Sequence, residues 1–114
     1  MQKKQKILFV CAANIDRSPT GEHIYMNNPG LEVKSAGTAY YARQPVTDEL
    51  VQWADVIFCM EDWQKKWIES VFSKIIAEKT IINLDIPDVY RRDDPALVKM
   101  IKERVDPLLK KYNH

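Results

Sequence analysis

Short apolar runs that alternate with segments of helical character constrain the fold of this chain more than any other feature of its sequence. Apolar runs predict strands at residues 7–11, 54–60 and 80–84, and alternating apolar and polar residues predict a strand at 31–37. Helices are predicted at 18–27, 45–54, 61–76 and from Pro95 to about Lys111. Each connection between strands is long enough for a crossover, which favours parallel pairing. The sequence therefore predicts an α/β fold of three layers, a four-stranded parallel sheet with helices on both faces.

Capping residues mark the predicted helix starts. Ser18 stands before Pro19, Thr47 opens the second helix and Asp94 precedes Pro95, and each side chain can accept a hydrogen bond from the first helical turn. The third helix has apolar residues spaced for one buried face, namely Trp63, Trp67, Ile68, Val71, Phe72 and Ile75. Residues 85–94 have the composition of a loop.

The length and the net charge of the chain limit the classes of protein to which it can belong. A chain of 114 residues has room for one hydrophobic core, so residues 1–114 are predicted to form a single domain. The net charge is +1, and the basic residues cluster only at 2–6 and 110–111, unlike the basic stripe of a nucleic-acid binder. No apolar run approaches the ~20 residues that span a bilayer, and residues 7–11 are too short for a secretory signal. We expect a cytoplasmic protein without nucleic-acid or membrane partners.

Two cysteines, Cys11 and Cys59, stand in predicted strands. Domains held by disulfides are usually smaller and richer in cysteine, so both thiols are predicted to be reduced. Five residues separate Cys11 from Arg17, whereas Cys59 is followed by MEDWQK, which carries an acidic pair. We therefore expect a reactive thiol at Cys11 and an inert one at Cys59.

The segment CAANIDRS at residues 11–18 predicts a site for a tetrahedral anion. A loop of this length can turn its backbone N–H groups inward, and the N-terminus of the following helix adds to them. Arg17 can donate two hydrogen bonds to phosphate oxygens. The positive field favours thiolate at Cys11, and Ser18 can donate a hydrogen bond to that thiolate. Phosphate binding is assigned to Ala12, Ala13, Asn14, Ile15, Asp16 and Ser18.

These residues resemble a known family. VCAANIDRSPT at residues 10–20 is similar to the phosphate-binding loop of low-molecular-weight protein tyrosine phosphatases, in which C-x5-R-S-P follows the first strand. The segments SAGT at 35–38, ADVIFCMED at 54–62 and DIPDVY at 85–90 resemble later parts of the family's sequence in the same order. The likeness therefore extends through nearly the whole chain.

The resemblance implies a metal-free, cofactor-free hydrolase that acts on phosphotyrosine, in a phosphorylated protein, or on small aryl phosphate monoesters. It implies that Cys11 attacks phosphorus to give a phosphocysteine while Asp88 protonates the leaving oxygen, and that Asp88 then assists water. Arg17 takes the role of stabilising the transition state, and Ser35 supports the loop from behind.

The sequence departs from the family's pattern at two positions and in one segment. Asp16 stands where many members have a second cysteine, which removes a protective disulfide and places a carboxylate beside the anion site. Ala13 replaces a frequent glycine, so the loop must accommodate a Cβ atom. Residues 39–46 form a short version of the segment that walls the substrate cleft in longer relatives, which bears on whether a phosphorylated protein is the substrate.

The general acid and the cleft wall each have competing candidates. Asp88 is preferred as the acid, and Asp85, three residues earlier, is either a second candidate or a turn residue. Tyr90 is predicted to form an aromatic side of the cleft. Tyr40 and Tyr41 either form another side or lie on the surface.

Other functions remain open from the sequence alone. His23 and His114 lack the spacing of a metal site, and no nucleotide-binding motif is present. A non-catalytic module that binds phosphate or a phosphopeptide would retain the loop without turnover. An arsenate reductase would need further cysteines, and a phosphocysteine carrier would not need Arg17 and Asp88.

Overall fold

A computed structural model describes residues 4–109 of the chain. Its sheet consists of strands β1 (Gln5–Cys11), β2 (Leu31–Gly37), β3 (Val56–Cys59) and β4 (Thr80–Asn83). The strands are all parallel and lie in the order β2-β1-β3-β4. The predicted four-stranded parallel sheet is confirmed.

Four α-helices connect or follow the strands in the described part of the chain. They are α1 (Arg17–Tyr25), α2 (Asp48–Trp53), α3 (Asp62–Val71) and α4 (Pro95–Leu109), with a short 3-10 turn at Ile76–Glu78 before β4. The predicted extension of α4 to Lys111 lies outside the described residues, as do His114, the first two residues of the basic run at 2–6 and all of that at 110–111.

Both faces of the sheet are buried, which explains the continuous apolar runs. On one face Ile7, Phe9 and Phe58 pack against Leu97 and Ile101 of α4, together with Tyr25 of α1. On the other face lie Leu8, Val10 and Ile57, with Val51 of α2 and Ile68 of α3. Successive residues of a strand point to opposite faces, so the helices form the two outer layers that were predicted.

The order of the strands places a crevice beside β1. The chain passes from β1 to β2 on one side and then crosses to β3 on the other side. The connections after β1 and β3 therefore leave the sheet in opposite directions, and a space opens between them at the carboxyl ends of the strands. This edge carries the loop after Cys11 and the loop that includes Asp88.

Two of the three predicted helix caps are confirmed. The Thr47 side chain accepts from the Leu50 N–H at 3.2 Å, and Asp94 Oδ1 accepts from the Ala96 N–H at 2.8 Å. The prediction of Ser18 as a cap is wrong, because α1 begins one residue earlier, at Arg17, and Ser18 is buried in its first turn. The Ser18 hydroxyl is used in the adjoining loop instead.

The prediction for α3 is partly wrong. The helix ends at Val71, and Trp63 and Val71 are about half exposed, at 49% and 54%. Gln64 is fully buried because its Oε1 accepts from the N–H groups of Met60 and Glu61, which fixes the start of the helix. The polar Gln64 is therefore buried in the first turn of α3, whereas the apolar pattern predicted burial of its neighbour Trp63.

No helix among residues 4–109 has both the length and the apolar character needed to cross a bilayer.

Gly21 allows α1 to pack closely on the sheet. A Cβ atom at this position would lie 2.6 Å from the Phe9 ring, and that ring is itself stacked against Tyr25 and Phe58. Alanine usually stabilises a helix relative to glycine by about 1 kcal/mol. Here we expect Gly21→Ala to lower the free energy of unfolding by about 1–3 kcal/mol, because the added methyl group overpacks the core. Urea denaturation measures the change.

The double variant Phe9→Leu/Gly21→Ala is the control. Leucine removes the ring, so the substitution at Gly21 should cost less in the Phe9→Leu background than in the wild type. A Gly21→Ala variant more stable than the wild type would contradict the close packing.

Candidate active site

The loop at residues 12–16 connects β1 to α1 at the carboxyl edge of the sheet. Asn14 adopts a left-handed conformation with φ of 57°, which asparagine tolerates better than most residues. Ala13 is not among the residues with positive φ. Its Cβ atom is therefore accommodated on ordinary backbone, and the absence of a glycine creates no strain there.

The 38–43 segment holds four consecutive carbonyl groups, that of Cys11 at the end of β1 and those of loop residues 12–14. The bonds run from Thr38 N to Cys11 O at 2.9 Å, from Ala39 N to Ala12 O at 3.0 Å, from Arg43 N to Ala13 O at 3.1 Å and from Arg43 Nε to Asn14 O at 3.1 Å. In a planar trans peptide the C=O group of one residue and the N–H group of the following residue point in opposite directions. The N–H groups of residues 12–15 are thus directed away from the 38–43 segment.

The Cys11 thiol lies at the base of this concave loop and is 3% exposed. The Asn14 N–H donates to Cys11 Sγ at 3.2 Å, and Ser18 Oγ lies 3.0 Å from the same sulfur. The first backbone hydrogen bond of α1 runs from Thr20 N to Asp16 O, so the N–H groups of Arg17 and Ser18 are not used within the helix. Backbone dipoles and the helix terminus both favour negative charge at this point.

A chain of buried polar side chains supports the loop from behind. Asn14 Nδ2 donates to Ser18 Oγ at 2.8 Å and to Ser35 Oγ at 2.9 Å. The Ser35 hydroxyl in turn donates to the Glu22 carboxylate. Because Ser18 accepts from Asn14, its own proton is directed to Cys11 Sγ or to Ala36 O, which lies 3.2 Å away. Asn14, Ser18 and Ser35 therefore lie together behind the loop.

Arg17 is 2% exposed and is held in place by one end of its guanidinium. Nη1 donates to Glu61 Oε2 at 2.7 Å and to Ile86 O at 2.8 Å, while Nε lies 3.6 Å from Asp88 Oδ1. Nη1 makes both of the hydrogen bonds that this side chain forms within residues 4–109. The edge formed by Nε and Nη2 thus remains for a two-point contact with an anion.

Glu61 is a site residue that the sequence prediction did not single out. It balances the buried charge of Arg17 and is also the N-cap residue of α3, where its N–H donates to Gln64 Oε1 at 3.1 Å. Its position directly after β3, at the same sheet edge as Cys11, is the signal that would have identified it.

A pocket of about 170 Å³ opens above the thiol. It is lined by Cys11, Ala12, Ala13, Ile15, Asp16, Arg17, Tyr41 and Asp88. Tyr90, predicted as a cleft wall, packs instead against the hydrophobic core on the α4 face of the sheet and does not line the pocket. Tyr41, from the short segment, is the aromatic side chain at the pocket.

The two candidate aspartates differ in position. Asp88 lines the pocket and is 64% exposed. Asp85 has a φ of 57°, its N–H donates to Asn83 Oδ1 at 2.8 Å, and it is absent from the pocket lining. The geometry thus brings Asp88, and not Asp85, to the thiol and the guanidinium.

Cys59 lies on the other face of the sheet, in the cluster with Ile57 and Ile68. It is fully buried, and desolvation raises the pKa of its thiol to about 12. A thiol reacts as its thiolate, so Cys59 is inert at neutral pH, as predicted. Within the described part of the chain, no three His, Cys, Asp or Glu side chains are grouped so as to hold a metal ion.

Comparison with known proteins finds relatives both in sequence and in structure. No family model matches the chain. In sequence it is 26% identical to the low-molecular-weight protein-tyrosine-phosphatase Etp of Escherichia coli strain K12, over 82% of this chain and 83% of that protein. The structure is similar to that of Vibrio vulnificus Wzb in complex with benzylphosphonate, with a TM-score of 0.76, 26% identity and coverage of 96% of this chain and 99% of the other.

Arginine phosphatases share the fold as well. The YwlE arginine phosphatase from Geobacillus stearothermophilus gives a TM-score of 0.70 at 22% identity, over 96% of this chain and 97% of that one. Taken together, the likenesses confirm the resemblance to low-molecular-weight protein tyrosine phosphatases predicted from the sequence. The chain is a cysteine-based phosphatase and thus a phosphoric monoester hydrolase.

Gly37 determines how closely the loop and the 38–43 segment approach. A Cβ atom there would lie 2.5 Å from Ala12 O and 2.7 Å from Ala42 Cβ. We expect Gly37→Ala to displace the loop backbone and to weaken inorganic phosphate binding by about tenfold, equivalent to the loss of roughly one charge-assisted hydrogen bond. Calorimetric titration with phosphate measures the affinity. The Tyr40→Ala variant, changed at a fully exposed side chain of the same segment, should bind phosphate like the wild type, and equal affinity in Gly37→Ala would contradict the anchoring role.

Proposed function

We propose that the chain hydrolyses aryl phosphate monoesters, phosphotyrosine in proteins among them, through a phosphocysteine on Cys11. The observation that carries this proposal is the position of Cys11 Sγ, which receives the Asn14 N–H at 3.2 Å and lies beside Ser18 Oγ at 3.0 Å, at the base of a loop whose amides face away from the 38–43 segment. A thiolate so placed would meet the phosphorus of an anion bound by those amides and by Arg17.

The proposed reaction has two steps. The Cys11 thiolate attacks phosphorus, the bond from phosphorus to the ester oxygen breaks, and Asp88 gives its proton to that oxygen. Water then attacks the phosphocysteine, Asp88 takes a proton from it, and the sulfur–phosphorus bond breaks to return the thiolate and release inorganic phosphate. Arg17 and the amides stabilise the charge on the transferring group in both steps, and Ser18 donates to the departing sulfur.

The rim of the pocket favours an aromatic leaving group. Ile15 and Tyr41 line it, and both are more than half exposed, at 53% and 69%. A phenyl ring would remove apolar area of Ile15 and Tyr41 from water, and it could stack on the tyrosine.

Phosphoarginine is the second candidate substrate. Two carboxylates, Asp16 and Asp88, also line the pocket and could pair with a guanidinium. The structural relatives that are arginine phosphatases share the fold. The aryl substrate is preferred here because one Asp16 oxygen already accepts the Arg92 N–H at 2.8 Å.

The remaining alternatives find less support. An arsenate reductase would need a second thiol near Cys11, but the chain's other cysteine, Cys59, is buried on the opposite face of the sheet. A non-catalytic phosphate-binding module would not need Asp88 at the pocket. A cytoplasmic location stays a prediction.

The first test is turnover of para-nitrophenyl phosphate in the presence of a chelator. We expect hydrolysis by the wild type and none by Cys11→Ser, since a serine hydroxyl in that position is a far weaker nucleophile. The control is Cys59→Ala, the same kind of change at the inert thiol, which should retain turnover. Equal turnover by Cys11→Ser would overturn the assignment of the nucleophile. A wild type that binds phosphate without turnover would favour the non-catalytic module.

The second test concerns the leaving group. Tyr41→Ala should lower kcat/KM for a phosphotyrosine peptide by about three- to tenfold, the size of one aromatic contact. Tyr40→Ala is the matched control, because Tyr40 is 92% exposed and does not line the pocket, and it should have a smaller effect. A higher kcat/KM for a phosphoarginine peptide than for phosphotyrosine would establish the second candidate instead.

A further inference from the structure

The loop that carries Asp88, residues 84–94, is held at both ends. We call it the acid loop. At its first end the N–H groups of Leu84 and Ile86 donate to Cys59 O and Met60 O, at 2.8 and 2.7 Å, and Ile86 is fully buried. These bonds continue the pairing of the sheet, and Ile86 O also accepts from Arg17 Nη1 at 2.8 Å, so this end depends on β3 and on Arg17.

The second end is held by α1 and the residue before it. The Arg92 N–H donates to Asp16 Oδ1 at 2.8 Å, and the Asp93 N–H donates to Thr20 Oγ1 at 2.8 Å. The Thr20 hydroxyl donates its own proton to Asp16 O at 2.7 Å. His23 Nδ1 lies 2.8 Å from Asp93 Oδ1 on the surface. Asp93 has a φ of 63°, so this turn adopts a conformation that external bonds must help to hold.

Residues 87–91 span the distance between the two ends. Pro87, Asp88 and Val89 are exposed, and the contact of Asp88 with Arg17 Nε is long, at 3.6 Å. Tyr90, within this span, packs against the hydrophobic core on the α4 face of the sheet. The place of Asp88 over the pocket thus depends on Tyr90 and on the ends of the loop more than on contacts of its own.

We propose that Asp16 is a positioning residue, whose carboxylate anchors the acid loop through the Arg92 N–H and thereby keeps Asp88 over the Cys11 thiol. This inference rests on the proposed function. It assigns a role to the carboxylate beside the anion site, which would otherwise only oppose phosphate. A carboxylate oxygen is a strong acceptor for a backbone N–H, whereas a thiol at the same position is a weak one.

Substrates with different leaving groups report whether the acid is in place. A good leaving group such as para-nitrophenolate needs little protonation, whereas phenolate needs more, so a misplaced acid slows phenyl phosphate selectively. We expect Asp16→Ala to lower kcat/KM about five- to tenfold more for phenyl phosphate than for para-nitrophenyl phosphate, the effect of losing one hydrogen bond. The ratio kcat/KM is measured because it reports the first chemical step.

Two variants separate positioning from charge. Asp16→Asn keeps an oxygen that can accept the Arg92 N–H but removes the charge, so it should show the leaving-group dependence of the wild type. Thr20→Val removes the acceptor for the Asp93 N–H with little change of shape, and it should show the same selective loss as Asp16→Ala. Circular dichroism melts establish that each variant is folded, and Thr20→Val keeps the test decisive if Asp16→Ala does not fold.

The Asp88→Asn background completes the experiment. If Asp16 acts through Asp88, adding Asp16→Ala to Asp88→Asn should cause no further leaving-group effect. An equal loss for both substrates in Asp16→Ala, or a further selective loss in the double variant, would overturn the proposal. Faster reaction and tighter phosphate inhibition in both Asp16→Ala and Asp16→Asn would show that the charge only repels the anion. If Asp88→Asn itself does not discriminate between the substrates, the general acid of the proposed function fails, and the role of Asp16 fails with it.

Discussion

The hydrogen bonds between the 38–43 segment and the carbonyl groups of residues 11–14 are the constraint on which the site depends. A five-residue loop between a strand and a helix has many conformations. Four external donors select one of them, in which the N–H groups of residues 12–15 face away from the 38–43 segment and the Asn14 N–H donates to Cys11 Sγ. The segment is short, yet it holds the loop and also supplies Tyr41 to the pocket.

The buried charge of Arg17 sets a second requirement. A guanidinium that is 2% exposed needs partners to offset the loss of its hydration. Glu61 and Ile86 O supply them at Nη1 and leave the opposite edge for an anion. Both partners come from the ends of neighbouring strands, β3 and β4, so the order of the sheet positions the arginine as well as the thiol. The site therefore depends on the strand order β2-β1-β3-β4, which places the ends of β1, β3 and β4 side by side.

The local sequence pattern predicts the strands and helices. It does not predict side-chain positions that depend on hydrogen bonds between residues distant in the sequence. The strands, the caps at Thr47 and Asp94 and the contrast between Cys11 and Cys59 follow from hydrophobic runs and neighbouring residues. The resemblance and the flanking residues Ile86, Pro87 and Tyr90 favour Asp88 over Asp85 as the acid, and Asp88 lines the pocket. No local signal tells whether a loop tyrosine faces the cleft or the core, and Tyr90 packs on the core. The bonds of Arg43, Glu22 and Asp16 join residues 13–76 positions apart, and a single sequence carries no information about such pairs.

The most direct measurement of the central claim is a titration of the isotope-labelled protein with inorganic phosphate, followed by the backbone amide resonances. We expect the amide protons of Ala12, Ala13 and Ile15 to shift downfield together and to saturate at one affinity, in the wild type and in Cys11→Ser alike, because the amides bind the anion without help from the sulfur. Unchanged resonances for these three residues, with shifts confined to surface lysines, would contradict the claim that the loop's amides converge on a phosphate.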